Sequence, residues 1–284
     1  MFNLLNPLNL CDKQLNYTKN NIADNNNRDF GIRNGRESRK CFNFVEMHTG
    51  RKIISMLAKG ALDWVFPRTC RVCGQTLTGG EELMCLGCMA DLPRTSLHRI
   101  DFNTIHQRVG GTSPIDTAAG WFYYYSDSPY ASLIREAKYN DRPSTAYTLG
   151  KLYGLELVDA GYEDRFDVLL PVPLHRNKLL RRGYNQSEEI ARGLAEVLHC
   201  DVGDNLKALR GHSTQTRRSS FERYENVRGT YGVSNSDELE GLNVAIVDDI
   251  VTTGSTILDC VTALCSTATP ASVSVLTIGV TKMR

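Results

Sequence analysis

An α/β fold is predicted for this chain: a parallel sheet with helices on both faces, preceded by a small cysteine-bearing module. Three observations carry that expectation. Apolar strand segments alternate with amphipathic helical segments through the second half, as in "LNVAIVDD" (242–249) followed by "STILDCVTALCS" (255–266). Such alternation suits strands buried on both sides by crossover helices. Cys70, Cys73, Cys85 and Cys88 form two CxxC pairs. The length, 284 residues, suffices for one large domain or two modest ones.

The elements follow in chain order. Residues 1–47 are polar, and 11 of the first 50 residues are Asn. With no apolar period to bury, this extension cannot offset its ordering entropy and is expected to be disordered. Met47 directly follows as an alternative start. "KIISMLAKGALDWVF" (52–66) has helical apolar spacing and ends at Pro67. A packing helix explains it better than a membrane-surface helix, because its polar face carries few cations. With the cysteines it makes a module over 48–118. The remaining domain, 119–284, starts with the aromatic strand "GWFYYYS" (120–126). Helices are expected in "SPYASLIREAKYN" (128–140) and "STAYTLGKLYGLELVDAG" (144–161), a strand in "FDVLLPVP" (166–173) and a helix in "NQSEEIARGLAEVLHC" (185–200), capped by Asn185 or Ser187. "SVSVLTIGV" (272–280) is the last strand.

Composition excludes some classes. Net charge is +1, so no global polybasic surface argues for nucleic acid. No apolar stretch reaches the roughly 20 residues that cross a bilayer, and the N-terminus lacks a signal-peptide pattern. Nine cysteines, four of them in CxxC pairs, suit a reducing compartment, so the chain is read as cytoplasmic.

The four-cysteine spacing, C-x2-C-x11-C-x2-C, gives two knuckles that can close a tetrahedron of thiolates around zinc. A redox CxxC would instead open a helix in a βαβ unit. Four protein ligands leave no open position, so this zinc is structural. Cys200, Cys260 and Cys265 read as small buried hydrophobes.

"VAIVDDIVTTGSTI" (244–257) carries the chemistry. Asp248 and Asp249 stand at the carboxyl end of a buried strand, where open α/β sheets bind ligands. Thr252, Thr253, Gly254, Ser255 and Thr256 then lead into a helix. Small residues let backbone N–H groups curl round an anion, and the helix dipole favours it. Ionised carboxylates only accept hydrogen bonds, so they suit sugar hydroxyls or hydrated Mg²⁺. The stretch reads as a cradle for a ribose phosphate; the bland alternative is a strand-to-helix turn with a solvated acid pair. It is neither a Walker A loop nor a GxGxxG turn. "PVPLHRNKLLRRGYNQS" (171–187) reads as a proline-stiffened turn offering His175, Arg176, Lys178, Arg181 and Arg182 to a pyrophosphate. Alone it could equally be a solvated basic patch or a single-strand binding surface. "HSTQTRRSSFERYENVRGTY" (212–231) lacks apolar period and reads as a mobile loop whose Gln215, Arg217, Arg218, Arg223 and Asn226 are candidates to meet pyrophosphate or a partner.

"VAIVDDIVTTGST" resembles the phosphoribosyl pyrophosphate (PRPP) loop of type I phosphoribosyltransferases. The order of motifs is similar, over about 57–280, to the ComF family of competence-associated, phosphoribosyltransferase-like proteins: "VFPRTC", the cysteine ribbon, "IREAKYNDR", "PVPLHR…RRGYNQ", "STQTRRSSFERYENVRGTY", then the PRPP loop. The resemblance implies a type I phosphoribosyltransferase-like sheet and a zinc ribbon. It implies that Asp248 and Asp249 meet the ribose hydroxyls and 252–256 the 5′-phosphate. It implies magnesium arriving with PRPP and a mobile hood over the site. Relatives that salvage 6-oxopurines carry an acid where this chain has Thr252, which cannot serve as a general base near neutral pH. Three functions stay open on these residues. One is a PRPP-binding protein of DNA uptake or processing, with single-stranded DNA, a helicase or an uptake component as partner. Another is a metabolic phosphoribosyltransferase, a pentosyl-type glycosyltransferase. The last is a non-catalytic nucleic-acid or helicase adaptor.

Overall fold

The computed structural model describes residues 67–109, 114–139, 142–209 and 229–282. The expected extension 1–47, Met47, the helix at 52–66, Gln215 and most of the loop at 212–231 lie outside the described residues. The chain divides into two compact units, Met1–Asp91 and Leu92–Arg284.

In the first unit, Thr69 and Thr76 form an antiparallel bridge. Cys70 N–H donates to Gln75 O at 2.7 Å and Leu77 N–H to Arg68 O at 2.7 Å, folding the chain back on itself. Gly74 and Gly80, at φ of 78° and 92°, turn the chain where a side chain would be strained. A short helix α1 (Leu86–Ala90) follows, capped by Cys85. The Glu81 carboxylate holds this turn together. It accepts from Thr78 N at 2.6 Å and from Leu86 N at 2.8 Å, and these N–H groups keep its carboxyl below the usual range.

The second unit is α/β, as expected. A 3-10 turn (Leu97–Arg99) and α2 (Thr104–Arg108) lead into β1 (Thr117–Tyr123). Then come α3 (Ala131–Tyr139), α4 (Pro143–Asp159), β2 (Val168–Pro171), α5 (Arg176–Arg182), α6 (Gln186–Leu198), β3 (Asp201–Val202), β4 (Leu206–Ala208), β5 (Tyr231–Val233), β6 (Asn243–Val251), α7 (Ser255–Thr267) and β7 (Ser272–Val280). Five strands form one sheet in the order β1-β7-β6-β2-β3, and every pairing is parallel. β4 and β5 form a separate antiparallel ribbon.

The alternation of side chains along β6 explains the two covered faces. Val244 and Ile246 join one core with Ile257, Cys260, Val261 and Leu264 of α7 and Ile105 of α2. Ala245 and Val247 are equally buried but lie outside that core, so they face the opposite layer. There α6 packs on β2 and β6, with α4 against it. The α4–α6 contact is backbone to backbone. A Cβ at Gly150 would sit 2.2 Å from Ile190 O, and one at Gly193 would sit 2.1 Å from Tyr147 O. Each fully buried Leu, Ile or Val in these layers is worth about 1.5–3 kcal/mol.

Two local expectations need correction. The segment after β2 is not only a turn. His175 caps α5 by accepting from Asn177 N, and Gly183 closes it at φ 78°, because Arg, Lys and Leu favour helix between those two stops. Cys265 is exposed on α7, and Cys200 is half-buried; Cys260 alone of the three is fully buried. Of the two caps expected for α6, Asn185 is the one used. Among the described residues no helix is long and apolar enough to cross a membrane.

Candidate functional site

The strand order places a switch point between β2 and β6. From β2 the next sheet strand, β3, lies outward on one side; from β6 the next, β7, lies outward on the other. In open α/β sheets, loops leaving the carboxyl ends of two such strands diverge, and ligands bind between them. Asp248 and Asp249, near the carboxyl end of β6, stand at that position. They are 8% and 6% exposed, which is costly for a carboxylate pair without compensation.

Compensation comes from three elements. Lys138 of α3 places Nζ 2.7 Å from Asp249 Oδ2. Ser187, in the first turn of α6, donates to Asp248 Oδ1 at 3.1 Å, and Asp249 N donates to the same oxygen at 2.8 Å. Burial and the Asp249 charge still dominate at Asp248, pushing its carboxyl up to about 7. Burial works against the charge on Lys138. Asp249 and then Asp248 outweigh it, so the amine sits above its ordinary value.

Thr252, Thr253 and Gly254 form the turn, and Ser255 and Thr256 begin α7. Thr253 Oγ1 and Ser255 Oγ share a 2.6 Å hydrogen bond. Gly254 caps α7 at φ 81° and offers no side chain to cover the first-turn N–H groups. A Cβ there would meet Arg108 Cβ at 2.9 Å. Arg108 itself braces the turn from behind. Its Nη1 donates to Val251 O at 3.0 Å and Thr252 O at 2.8 Å, and its Nη2 to Thr281 O.

The basic segment is brought only partly to the acids. Arg182, at the end of α5, bonds Gln186 Oε1 at 2.8 Å and acts electrostatically on Lys138. Tyr184 OH donates to Ala137 O at 2.7 Å, tying the "RRGYNQ" turn to the helix that carries Lys138. Arg176 and Arg181 are exposed, and Lys178 and His175 are half-buried. Opposite, Asp259 of α7 accepts from the N–H groups of Gly229, Thr230 and Tyr231 at 2.9, 2.9 and 3.2 Å.

Lys138, Ser187, Arg108 and Asp259 were not singled out by sequence as site residues. Each is a lone polar residue on or beside a helix, and Arg108 lies 143 positions from its acceptor Val251. No spacing rule could pair them.

In the first unit, the sulfurs of Cys70, Cys73, Cys85 and Cys88 all lie within 4.8 Å of one another. Cys73 Sγ and Cys85 Sγ are 3.7 Å apart. Tetrahedral ligands at a Zn–S distance of about 2.3 Å would be about 3.8 Å apart, so the cluster fits such an ion. Burial opposes ionisation of Cys70, but the N–H groups of Cys73, Cys85 and Val72 outweigh it and bring its thiol down to about 6. Burial and the crowding sulfurs push Cys88 up. A second negative sulfur is thus disfavoured until a cation compensates it.

No family model matches the chain. It is 28% identical over 194 residues to the DNA utilization protein YhgH of Escherichia coli K12, covering 67% of this chain and 81% of that one. It is 31% identical over 134 residues to competence protein F of Haemophilus influenzae, covering 45% of this chain and 58% of that relative. It is also 31% identical over 117 residues to competence protein ComFC of Bacillus subtilis, covering 41% and 46%.

Proposed function

We propose, from the premise that the chain belongs to the ComF family, that it binds PRPP or another ribose 5-phosphate as a phosphoribosyltransferase-like protein of competence and DNA uptake or processing. One observation carries the ligand reading. Two buried acids stand at the switch point of a parallel sheet, and the next turn runs into the N-terminus of α7. Asp248 and Asp249 would accept from the ribose hydroxyls. Residues 252–256 would wrap the 5′-phosphate with backbone N–H groups and hydroxyls. Arg182 and the half-buried Lys178 would meet a pyrophosphate. Magnesium would come bound to that pyrophosphate, and the four cysteines would hold structural zinc. Ribosyl transfer develops positive charge on the sugar and negative charge on the departing pyrophosphate, so these acids and cations are the groups it needs. The relatives' names supply the DNA context, which the ribose-phosphate pocket alone would not suggest.

Isothermal titration with PRPP and magnesium tests this. Micromolar binding that Asp249→Asn removes is expected; an empty pocket in the wild-type protein would refute it. Pyrophosphate release with a screened base would turn the binder into a transferase. A nucleic-acid adaptor role draws support from α5, which exposes Leu179 and Leu180 beside Arg176 and Arg181. Salt-sensitive single-stranded DNA binding that survives Asp248→Ala with Asp249→Ala would select it.

A further inference from the structure

We infer that Lys138 is the resident counter-cation of the acid pair, so that ribose phosphate is held there without a divalent ion on the carboxylates. This rests on the ribose-phosphate reading above and narrows it. The ammonium lies 2.7 Å from Asp249 Oδ2, and the Asp248 charge also acts on it. Its charge cancels half of the pair's formal charge, which weakens the attraction for a second cation. Mg²⁺ demands near-octahedral oxygen ligation and gives up its waters reluctantly. Asp249 Oδ2 serves Lys138, and Asp248 Oδ1 already accepts from Ser187 and from Asp249 N. An Mg²⁺ ion bridging Asp249 Oδ2 and Asp248 Oδ1 would have to displace Lys138 and Ser187.

Two acceptors remain. Among the described residues, Asp248 Oδ2 and Asp249 Oδ1 accept no hydrogen bond, and Asp249 Oδ2 has its ion pair with Lys138 but no hydrogen bond. One free acceptor on each acid could serve one of the two adjacent hydroxyls of a ribose, each of which must donate. Lys138 therefore acts as a positioning residue. It fixes the Asp249 carboxylate and keeps it an acceptor, and it is itself held by α3, whose Ala137 carbonyl is bonded by Tyr184.

The test is isothermal titration of the full chain with ribose 5-phosphate, which lacks the pyrophosphate that chelates magnesium. Titrations are run in EDTA and in magnesium for wild type, Lys138→Met and Lys138→Arg. Wild-type affinity is expected to agree within about twofold between the buffers. Lys138→Met is expected to lose about tenfold or more in EDTA, the scale of one charge-assisted hydrogen bond, and to recover most of it in magnesium. Lys138→Arg should keep the wild-type indifference to magnesium. Wild-type binding that requires magnesium overturns the inference and leaves the ribose-phosphate reading standing. An equal loss for Lys138→Met in both buffers also overturns it, since that marks a merely structural lysine. If Lys138→Met does not fold, the wild-type comparison still decides. Wild type that binds ribose 5-phosphate in neither buffer refutes the ribose-phosphate reading itself.

Discussion

The cysteine cluster and the acid pair face the same electrostatic difficulty and answer it from opposite distances in sequence. Four sulfurs are gathered by 19 consecutive residues, Cys70 to Cys88, in a cluster that could hold a metal ion. Two carboxylates are gathered by β6 and compensated from within, by Lys138 and Ser187, which lie 111 and 61 positions from their partners Asp249 and Asp248. A site made by local spacing borrows its cation; a site made by tertiary packing can supply one.

The sharpest way to break that contrast is to remove the metal. Zinc analysis is expected to find one ion per chain, and Cys85→Ser or a strong chelator should abolish it. Because zinc binding is folding free energy in such modules, on the order of 10 kcal/mol, protease cutting within 67–91 should rise steeply. Unchanged cutting after chelation would mean that the first unit holds itself together.

A smaller effect probes internal compensation. Asp248 is raised to about 7 from 3.8, mainly by burial and then by Asp249, with Lys138 and Ser187 opposing. Between those values the folded protein binds a proton that the unfolded chain releases. The Asp248 contribution to stability is therefore fully present below about pH 4, is lost as pH rises toward 7 and levels off beyond. A shift of roughly three units bounds the loss at about 4 kcal/mol. Urea unfolding from pH 4.5 to 8 should show this slope in wild type and a flatter one in Asp248→Asn. Parallel slopes would mean that the pair is better solvated than its burial implies.

The reason these groups escaped the sequence reading is physical. A strand's apolar run, a CxxC spacing and a glycine before a helix are consequences of local geometry, so they can be read from neighbours along the chain. The β6–turn–α7 unit and the cysteine cluster were legible for that reason. Lys138 sits in a helix whose single lysine looks like any solvated charge, and Arg108 ends a five-residue helix in what read as a connecting region. Only the fold brings them to Asp249 and to the turn. The basic segment was misjudged in form for a related reason. Its prolines suggested a stiff turn, while the cap at His175 and the stop at Gly183 enclose enough helix formers for α5.

The smallest expected effect sharpens the comparison at Gly254. Alanine there needs φ near 81° and brings a Cβ to 2.9 Å from Arg108 Cβ. A cost of about 1–3 kcal/mol in thermal unfolding is expected, with a larger proportional loss of phosphate affinity. Affinity that falls only in step with stability would show that the turn's shape is not what grips the anion.

Gly193 touches no part of the crevice, yet the crevice depends on it. It lies six residues beyond Ser187 on α6, about 9 Å along the axis, and its missing side chain lets that helix rest directly on the carbonyl of Tyr147. A single methyl there would lever α6 off its neighbour and carry the Ser187 hydroxyl out of range of Asp248. The support of the acid pair is thus mortgaged to a seam of bare backbone on the far side of a helix.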